Sequence, residues 1–455
     1  MKYMPYAISH AIRRLIAITL VLSFLIISPT IILYTAGYRY DWKNRRILTT
    51  GTISIHTLTK DIEVLINNEP IVQTKSMKLG LQTNDSIRLT NIAPGKTYTV
   101  TIKKPGYHTF THDILVHSNQ TSFIKNISLI KVAEPEKVLS RKLTNKKVSF
   151  SKDGKHLVYA TKEKNKEGLQ LLNLRTKKEQ TLYAATSTIP QTSWSPYAQY
   201  LGVFFEEKTV VIDAENPHLI TNTSTTTKTP KHAWKNTARH PALYIEKDNG
   251  VFEINKKRTQ KIYTNTNASP WYIDGKKDFW ETDHLTRKNI LKKNSQDQVI
   301  EKYAFTQPVE TIVDINEHRI IVRTTDGILV KRRNLGTEAR EQKLLETTHL
   351  YYNEATNEWL TWNEWELWAI YDNGTTTLLN RMSKPVTDIK SLDKYGMLLF
   401  VTKDALFMFN PGYYITTPIL LEVSNITDVA VNQEYRKIYF FATIKDTTGV
   451  YEIEY

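Results

Sequence analysis

Apolar and polar positions change their rhythm twice along the chain. From Leu15 to Tyr34 the twenty residues "LIAITLVLSFLIISPTIILY" carry no charge. At ~1.5 Å of rise per residue such a run matches the ~30 Å hydrocarbon core of a bilayer, which predicts a transmembrane helix. Between Gly51 and Lys131 the pattern turns into short alternations: "TISIHTL", "IEVLINN", "SIRLTNI", "TYTVTIKK", "HDILVHS" and "SFIKNISLI". Asn67-Asn68, Asn84-Asp85, Pro94-Gly95 and Pro105-Gly106 punctuate them as turns. Period-two alternation in runs this short means half-buried strands, so residues 51–131 are predicted to form a small β-sandwich.

After the polar linker "KVAEPEKVLSRKLTNKK" a longer beat sets in over residues 132–455. Strongly apolar strands recur as "GLQLLNL", "TVVIDA", "GVFEIN", "GILVKR", "ELWAIY", "ALFMFN" and "GVYEIE", each inside a unit of about 40 residues that holds four short strands. One such unit cannot cover both faces of its sheet and must stack on like neighbours around an axis. The fold class is therefore all-β, with a β-propeller following the helix and the sandwich. Unit starts near Lys147, Pro190, Lys231, Pro270, Val309, His349, Thr387 and Asp428 give eight blades; seven is the alternative, because the unit around "DFWETDHLTRKNILKK" is the least regular. The last unit lacks an outer strand, and "EKVLSRKL", Glu136 to Leu143, is placed to supply it.

The apolar run near the N-terminus is too long for a cleaved signal, and the small pair Ala36-Gly37 is followed by Tyr38, Arg39 and Tyr40. An uncleaved anchor is expected, with residues 1–14 as a cytoplasmic tail, residues 35–50 as a juxtamembrane segment, and Tyr34, Tyr38, Tyr40 and Trp42 as an interfacial aromatic belt. Lys2, Arg13 and Arg14 before the span nearly balance Arg39, Lys43, Arg45 and Arg46 after it, so charge alone does not orient the helix.

Two stretches resemble known families. In "IAPGKTYTVTIKKPGYHTF" the residues Pro94, Gly95, Tyr98, Val100, Ile102, Gly106 and Tyr107 stand where the PEGA domain has its Pro-Gly turn, central strand and following Gly-Tyr. The Thr-Pro usual in that family is absent, and "EPIVQTKSMKLGLQTNDS" is longer than its usual connection. "VSFSKDGKHLVYAT" and "TSWSPYAQYLGVFF" are similar to the WD40-like repeats of TolB-type propellers, although only the first has the Asp-Gly turn, Asp153-Gly154. The resemblance implies extracytoplasmic modules on a bacterial cell membrane, with the sandwich as a spacer and no catalysis in it.

Composition narrows the chemistry. Sixty-one Lys+Arg against 46 Asp+Glu leave a formal charge of +15, which favours anionic partners without choosing among them. With no cysteine there are no disulfides, thiolate metal sites or thiol nucleophiles. Basic residues cluster after the third strands as Lys256, Lys257, Arg258 and Lys261; as Arg287, Lys288, Lys292 and Lys293; and as Lys331, Arg332 and Arg333. Third-to-fourth connections share one face of a propeller, so these eleven cations form a candidate patch for an anionic polymer. In "EWLTWNEWELWAIY" tryptophan recurs at 359, 362, 365 and 368. Trp359 and Trp368 fall on strands as packing residues, whereas Trp362 and Trp365 flank the turn at Asn363-Glu364 and form a candidate exposed platform for sugar rings or a partner's apolar edge.

No zinc-protease, phosphate-loop, nucleophile-elbow or calcium-loop motif occurs, and His232, His240, His284, His318 and His349 are scattered without ligand spacing. No cofactor, metal or specific nucleic-acid partner is expected. The chain reads as a membrane-anchored, non-enzymatic envelope scaffold whose propeller binds a protein or an anionic polymer. The alternatives are an axial enzyme acting on glycans or peptidoglycan-derived material, and a purely structural assembly component.

Overall fold

The computed structural model describes residues 10–35, 37–41, 45–70, 86–139, 148–163, 166–185, 190–196, 199–217, 219–224, 231–234, 242–248, 250–254, 259–264, 269–294, 296–333 and 341–455. The chain divides into two compact units, residues 1–132 and 133–455.

In the first unit, helix α1 runs from His10 to Thr35. Its segment Ile12–Thr35 is long and apolar enough to cross a membrane, and none of it is buried against protein. Arg39 closes its C-terminal end: the guanidinium lies 3.7 Å over the Tyr34 ring and donates to the Tyr34 carbonyl at 2.6 Å. Tyr38–Asp41 and Arg46–Thr49 then form a hairpin. The sandwich has a three-stranded sheet, in which Gly51–Thr57 pairs antiparallel with Ser86–Ile92 and parallel with Thr121–Ile127. A four-stranded sheet holds Glu69–Pro70, Glu63–Ile66, Thr97–Lys103 and Phe110–Leu115 in that order. Alternation delivers Ile53, Ile55, Val100, Ile102 and Ile124 to full burial. Gly95 and Gly106 take φ values of 76° and 77°, the left-handed geometry that a Pro-Gly turn demands at its second central position.

Among the described residues the second unit contains eight four-stranded antiparallel sheets. Blades 1 to 7 cover 148–185, 191–224, 232–264, 271–304, 311–345, 349–381 and 388–420, each ordered first to fourth strand. Blade 8 takes three strands from 424–454 and its fourth from Glu136–Lys137, which pairs antiparallel with Thr447–Glu454 through Glu136↔Glu452 and Lys137↔Tyr451. The irregular unit is a complete fourth blade, so the count is eight.

Both faces of each sheet are buried because alternate residues look at opposite neighbours. On the second strand of blade 1, Leu157 and Tyr159 pack with Tyr439, Phe441 and Val450 of blade 8, while Val158 packs with Leu201 and Val203 of blade 2. Apolar clusters join blades 2 and 3, 3 and 4, 4 and 5, 5 and 6, and 6 and 7 in the same way. Between blades 7 and 8 the Tyr455 hydroxyl donates to the Leu392 carbonyl at 2.6 Å. Across the closure, Lys177 meets Glu452 at 2.9 Å and the Asn432 amide donates to the Gly154 carbonyl at 3.2 Å. First strands of neighbouring blades lie against one another at 4 and 5, 6 and 7, 7 and 8, and 8 and 1, which makes them the axial strands. First-to-second and third-to-fourth turns consequently gather on one face, and second-to-third turns on the other.

Candidate functional site

The two predicted aromatic residues separate. Trp362 ends the second strand of blade 6, Glu358–Trp362, on the same side as Leu360, and that side faces blade 7. Its ring is 2% exposed among Ile389, Leu398, Phe400 and Phe409, and its indole nitrogen donates to the Val386 carbonyl at 3.1 Å. The expected two-ring platform is thus corrected to one ring. Trp365 is 57% exposed, carried by a turn in which the Asn363 side chain accepts from the Trp365 and Glu366 amides at 2.8 Å each. Leu285 and Leu421 are also exposed. Trp365 and Leu285 sit in second-to-third turns and Leu421 in a blade-to-blade connection, so all three belong to the same face of the ring.

The cationic candidates do not form one patch of free charge. Arg287 and Lys288 precede the third strand of blade 4, Asn289–Lys293, whereas Lys292 and Lys293 end it, so the two pairs sit at opposite faces of the ring. Lys292 bridges Asp278 at 2.7 Å and Glu301 at 3.4 Å. Lys293 bridges Glu281 at 2.5 Å and Asp297 at 2.8 Å. Arg333 meets Glu301 at 2.7 Å, and its guanidinium carbon stands 5.0 Å over the Trp280 ring. Lys331 is buried and donates to the Ala304 carbonyl at 2.6 Å. Arg332 reaches the Gly374 carbonyl at 3.5 Å, and Lys261 on the outer strand of blade 3 stands over the Phe252 ring. Lys256, Lys257 and Arg258 lie outside the described residues. The physical reason is local pairing: Lys292 and Lys293 meet carboxylates on the strands and turns of their own blade, and Arg333 meets Glu301 and the Trp280 ring of the preceding one, before any of them is free to face solvent.

A different constellation gathers on the axis, and no sequence motif announced it. Asp388 and Lys390 share one side of the first strand of blade 7, Asp388–Ser391, and meet at 2.8 Å. The Lys390 ammonium lies 5.6 Å over the ring of Tyr351, on the first strand of blade 6, whose hydroxyl accepts from the Ser391 amide at 3.2 Å. Asp428 lies on the first strand of blade 8, Ser424–Asn432, where the register shifts between Thr427 and Val429 and φ is 44°. Such a bulge re-aims a side chain. Lys152 and Glu354 come from the first-to-second turns of blades 1 and 6.

These groups share one electrostatic environment. Burial, reinforced by the charge of Asp388 and opposed by Lys390, pushes the Asp428 carboxyl up to about 6. Burial also lowers Lys152, with Glu354 opposing and Lys390 adding to the shift. The Tyr351 hydroxyl is raised by burial, with Glu354 and Asp388 contributing. Lys152, Glu354 and Asp428 are all exposed to solvent. Among the described residues no three His, Asp or Glu side chains are placed to hold a metal ion.

A pH-dependent cost follows from Asp428. Its folded pKa of about 6 stands above the ordinary 3.8, so stability present below pH 3.8 is lost as pH rises towards 6. Asp428→Asn is expected to raise the melting temperature at pH 7.5 and leave it unchanged at pH 3.5. An equal change at both values would contradict the assignment.

Eight four-stranded blades closed into a ring by a strand from the N-terminal side define an eight-bladed β-propeller among the described residues. No family description and no curated protein matches the chain. Among solved structures it is similar to the WD40 domain of SCAP from fission yeast, at 10% identity over 71% of this chain and 98% of that one, with a TM-score of 0.42. It is similar as well to Sqt1 of Saccharomyces cerevisiae, at 11% identity over 68% and 95% of the two chains, with a TM-score of 0.43. An uncharacterized protein of Listeria monocytogenes gives 12% identity over 62% and 98%, with a TM-score of 0.42.

Proposed function

We propose that the chain is a single-pass, membrane-anchored protein-interaction scaffold of the bacterial cell envelope. Helix α1 is the anchor, residues 51–131 are a PEGA-like spacer, and residues 132–455 are the propeller that meets the partner outside the membrane. The observation that carries this reading is a closed ring of eight blades, with exposed apolar residues in its turns, on a chain that also holds a bare apolar helix. Rings of this kind bury their sheets completely and leave loops as the variable surface, which suits recognition. A protein partner is favoured over an anionic polymer because Lys292, Lys293 and Arg333 are already committed to carboxylates.

The test places a photo-crosslinking amino acid at position 365 and, as control, at Tyr183 in blade 1. Full-length chain expressed in intact cells is expected to stay in the carbonate-washed membrane fraction, to be cut by external protease, and to form a discrete adduct from position 365 alone. Release by carbonate overturns the anchor, and identical adducts from both positions overturn the recognition face.

A further inference from the structure

Sheets set radially around an axis diverge towards the rim, and the seam between blades 1 and 2 leaves a cavity there of about 200 Å³. Val203 and Val210 of blade 2, both buried, form its floor. On the outer strand of blade 1 the register slips at Leu182, the extra residue of a bulge, so that Leu182 and the following Tyr183 both line the space. The Tyr183 and Phe205 rings meet edge-on at 4.5 Å between centroids and make an aromatic wall. Phe205 and Lys208 bracket a tight turn in blade 2, closed by the Phe205 amide donating to the Lys208 carbonyl at 2.8 Å. That turn sets the Lys208 ammonium over the wall, 5.2 Å from the Phe205 centroid and 6.0 Å from that of Tyr183. Lys292 and Lys293 are committed to carboxylates, whereas Lys208, exposed at the mouth of the cavity, is held by ring faces.

Size, lining and charge select the occupant together. A cavity of about 150 Å³ lined by aliphatic and phenyl groups is enough for one benzene ring, so this one has room for a ring and a short arm. Edge-to-face contact with Tyr183 and Phe205 favours an aromatic ring over a saturated one. A cationic guest would meet the Lys208 ammonium, a neutral one would leave it unmatched, and an anionic one completes it. We propose that this rim cavity binds a small aromatic carboxylic acid, its ring between the two blades against Tyr183 and Phe205 and its carboxylate on Lys208. An ion pair at an exposed lysine is weak, so the apolar walls set the affinity and the charge sets the preference. The inference goes beyond the scaffold reading, and its outcome is independent of membrane partition and of crosslinks formed at position 365.

The experiment is calorimetric titration of the detergent-solubilised full chain with phenylacetate, with phenylacetamide as the neutral control and cyclohexylacetate as the non-aromatic one. Phenylacetate is expected to bind more tightly than both, at least threefold over the amide, and Lys208→Met is expected to erase that preference. Leu182→Trp, which fills the cavity, is expected to weaken phenylacetate at least tenfold; the micelle is unchanged, so this loss separates the site from uptake by detergent. Should that variant fail to fold, Tyr183→Ala, which removes one ring of the wall, is expected to weaken phenylacetate at least threefold. Absence of phenylacetate binding, binding of either control as tight as the acid, a preference that survives Lys208→Met, or full affinity in the folded wall variants would overturn the proposal.

Discussion

Trp362→Ala is expected to destabilise the propeller by about 3–5 kcal/mol, whereas Trp365→Ala, three residues away, should change stability by no more than about 0.5 kcal/mol. The contrast arises from position: Trp362 ends a strand on its buried side, whereas Trp365 stands on the exposed turn that follows. Trp362 fills the seam between blades 6 and 7, stacks with the His349 ring at 5.2 Å, and satisfies the Val386 carbonyl. Truncation there leaves a void between two sheets that cannot close without moving the ring, and it orphans a carbonyl as well. Trp365 sits on a turn whose geometry is fixed by the Asn363 side chain and not by the indole. Equilibrium denaturation of the two variants checks this directly: equal midpoints would refute the burial of Trp362. The same pair separates packing from recognition, because only Trp365→Ala should weaken partner capture in a chain of unchanged stability.

How much of this was legible beforehand depends on the range of the interaction. The ring was readable from the apolar strands spaced about 40 residues apart, since each repeat declares that its sheet needs a neighbour. The closing strand was readable from a deficit, a last unit with three strands and a spare one at Glu136. Trp362 reads as exposed because it flanks the Asn363-Glu364 turn; alternation from Leu360, two residues earlier, places it on the buried side. Arg287 and Lys292 look like one cluster because sequence does not show that the strand Asn289–Lys293 begins between them and carries Lys292 to its far end. The axial group was hidden for a deeper reason. Lys152, Glu354, Lys390 and Asp428 come from four blades, and only ring closure brings blades 1 and 8 together. Asp388 and Lys390, an acid and a base on one side of an axial strand, were the single local signal; the bulge at Asp428 removed even that regularity.

Arg319 shows how a charged residue can belong to the core, and it carries the second large prediction. It opens the second strand of blade 5, Arg319–Thr324, and is 2% exposed. Its guanidinium donates to Asp314 at 3.1 Å and to the Ile370 carbonyl of blade 6 at 3.4 Å, with Asp372 at 4.0 Å. Asp314 in turn accepts from the Tyr272 hydroxyl of blade 4 at 3.2 Å and the Trp359 indole of blade 6 at 3.0 Å. Burial, with the charge of Asp314 adding, pushes the Tyr272 hydroxyl above its ordinary range, so it remains a donor. Three consecutive blades are therefore tied through one carboxylate and one guanidinium. Arg319→Met is expected to cost about 3–5 kcal/mol, because Arg319 is, among the described residues, the cation that pairs with the largely buried Asp314. Asp314→Asn in the same chain should restore part of that loss, since it removes the uncompensated charge while the single amide oxygen still accepts from the Trp359 indole and the amide nitrogen can donate to the Tyr272 hydroxyl oxygen. A double-mutant cycle measures the coupling. If the two losses simply add, the pair is not linked, and the tie between blades 4, 5 and 6 must come from their apolar seams instead.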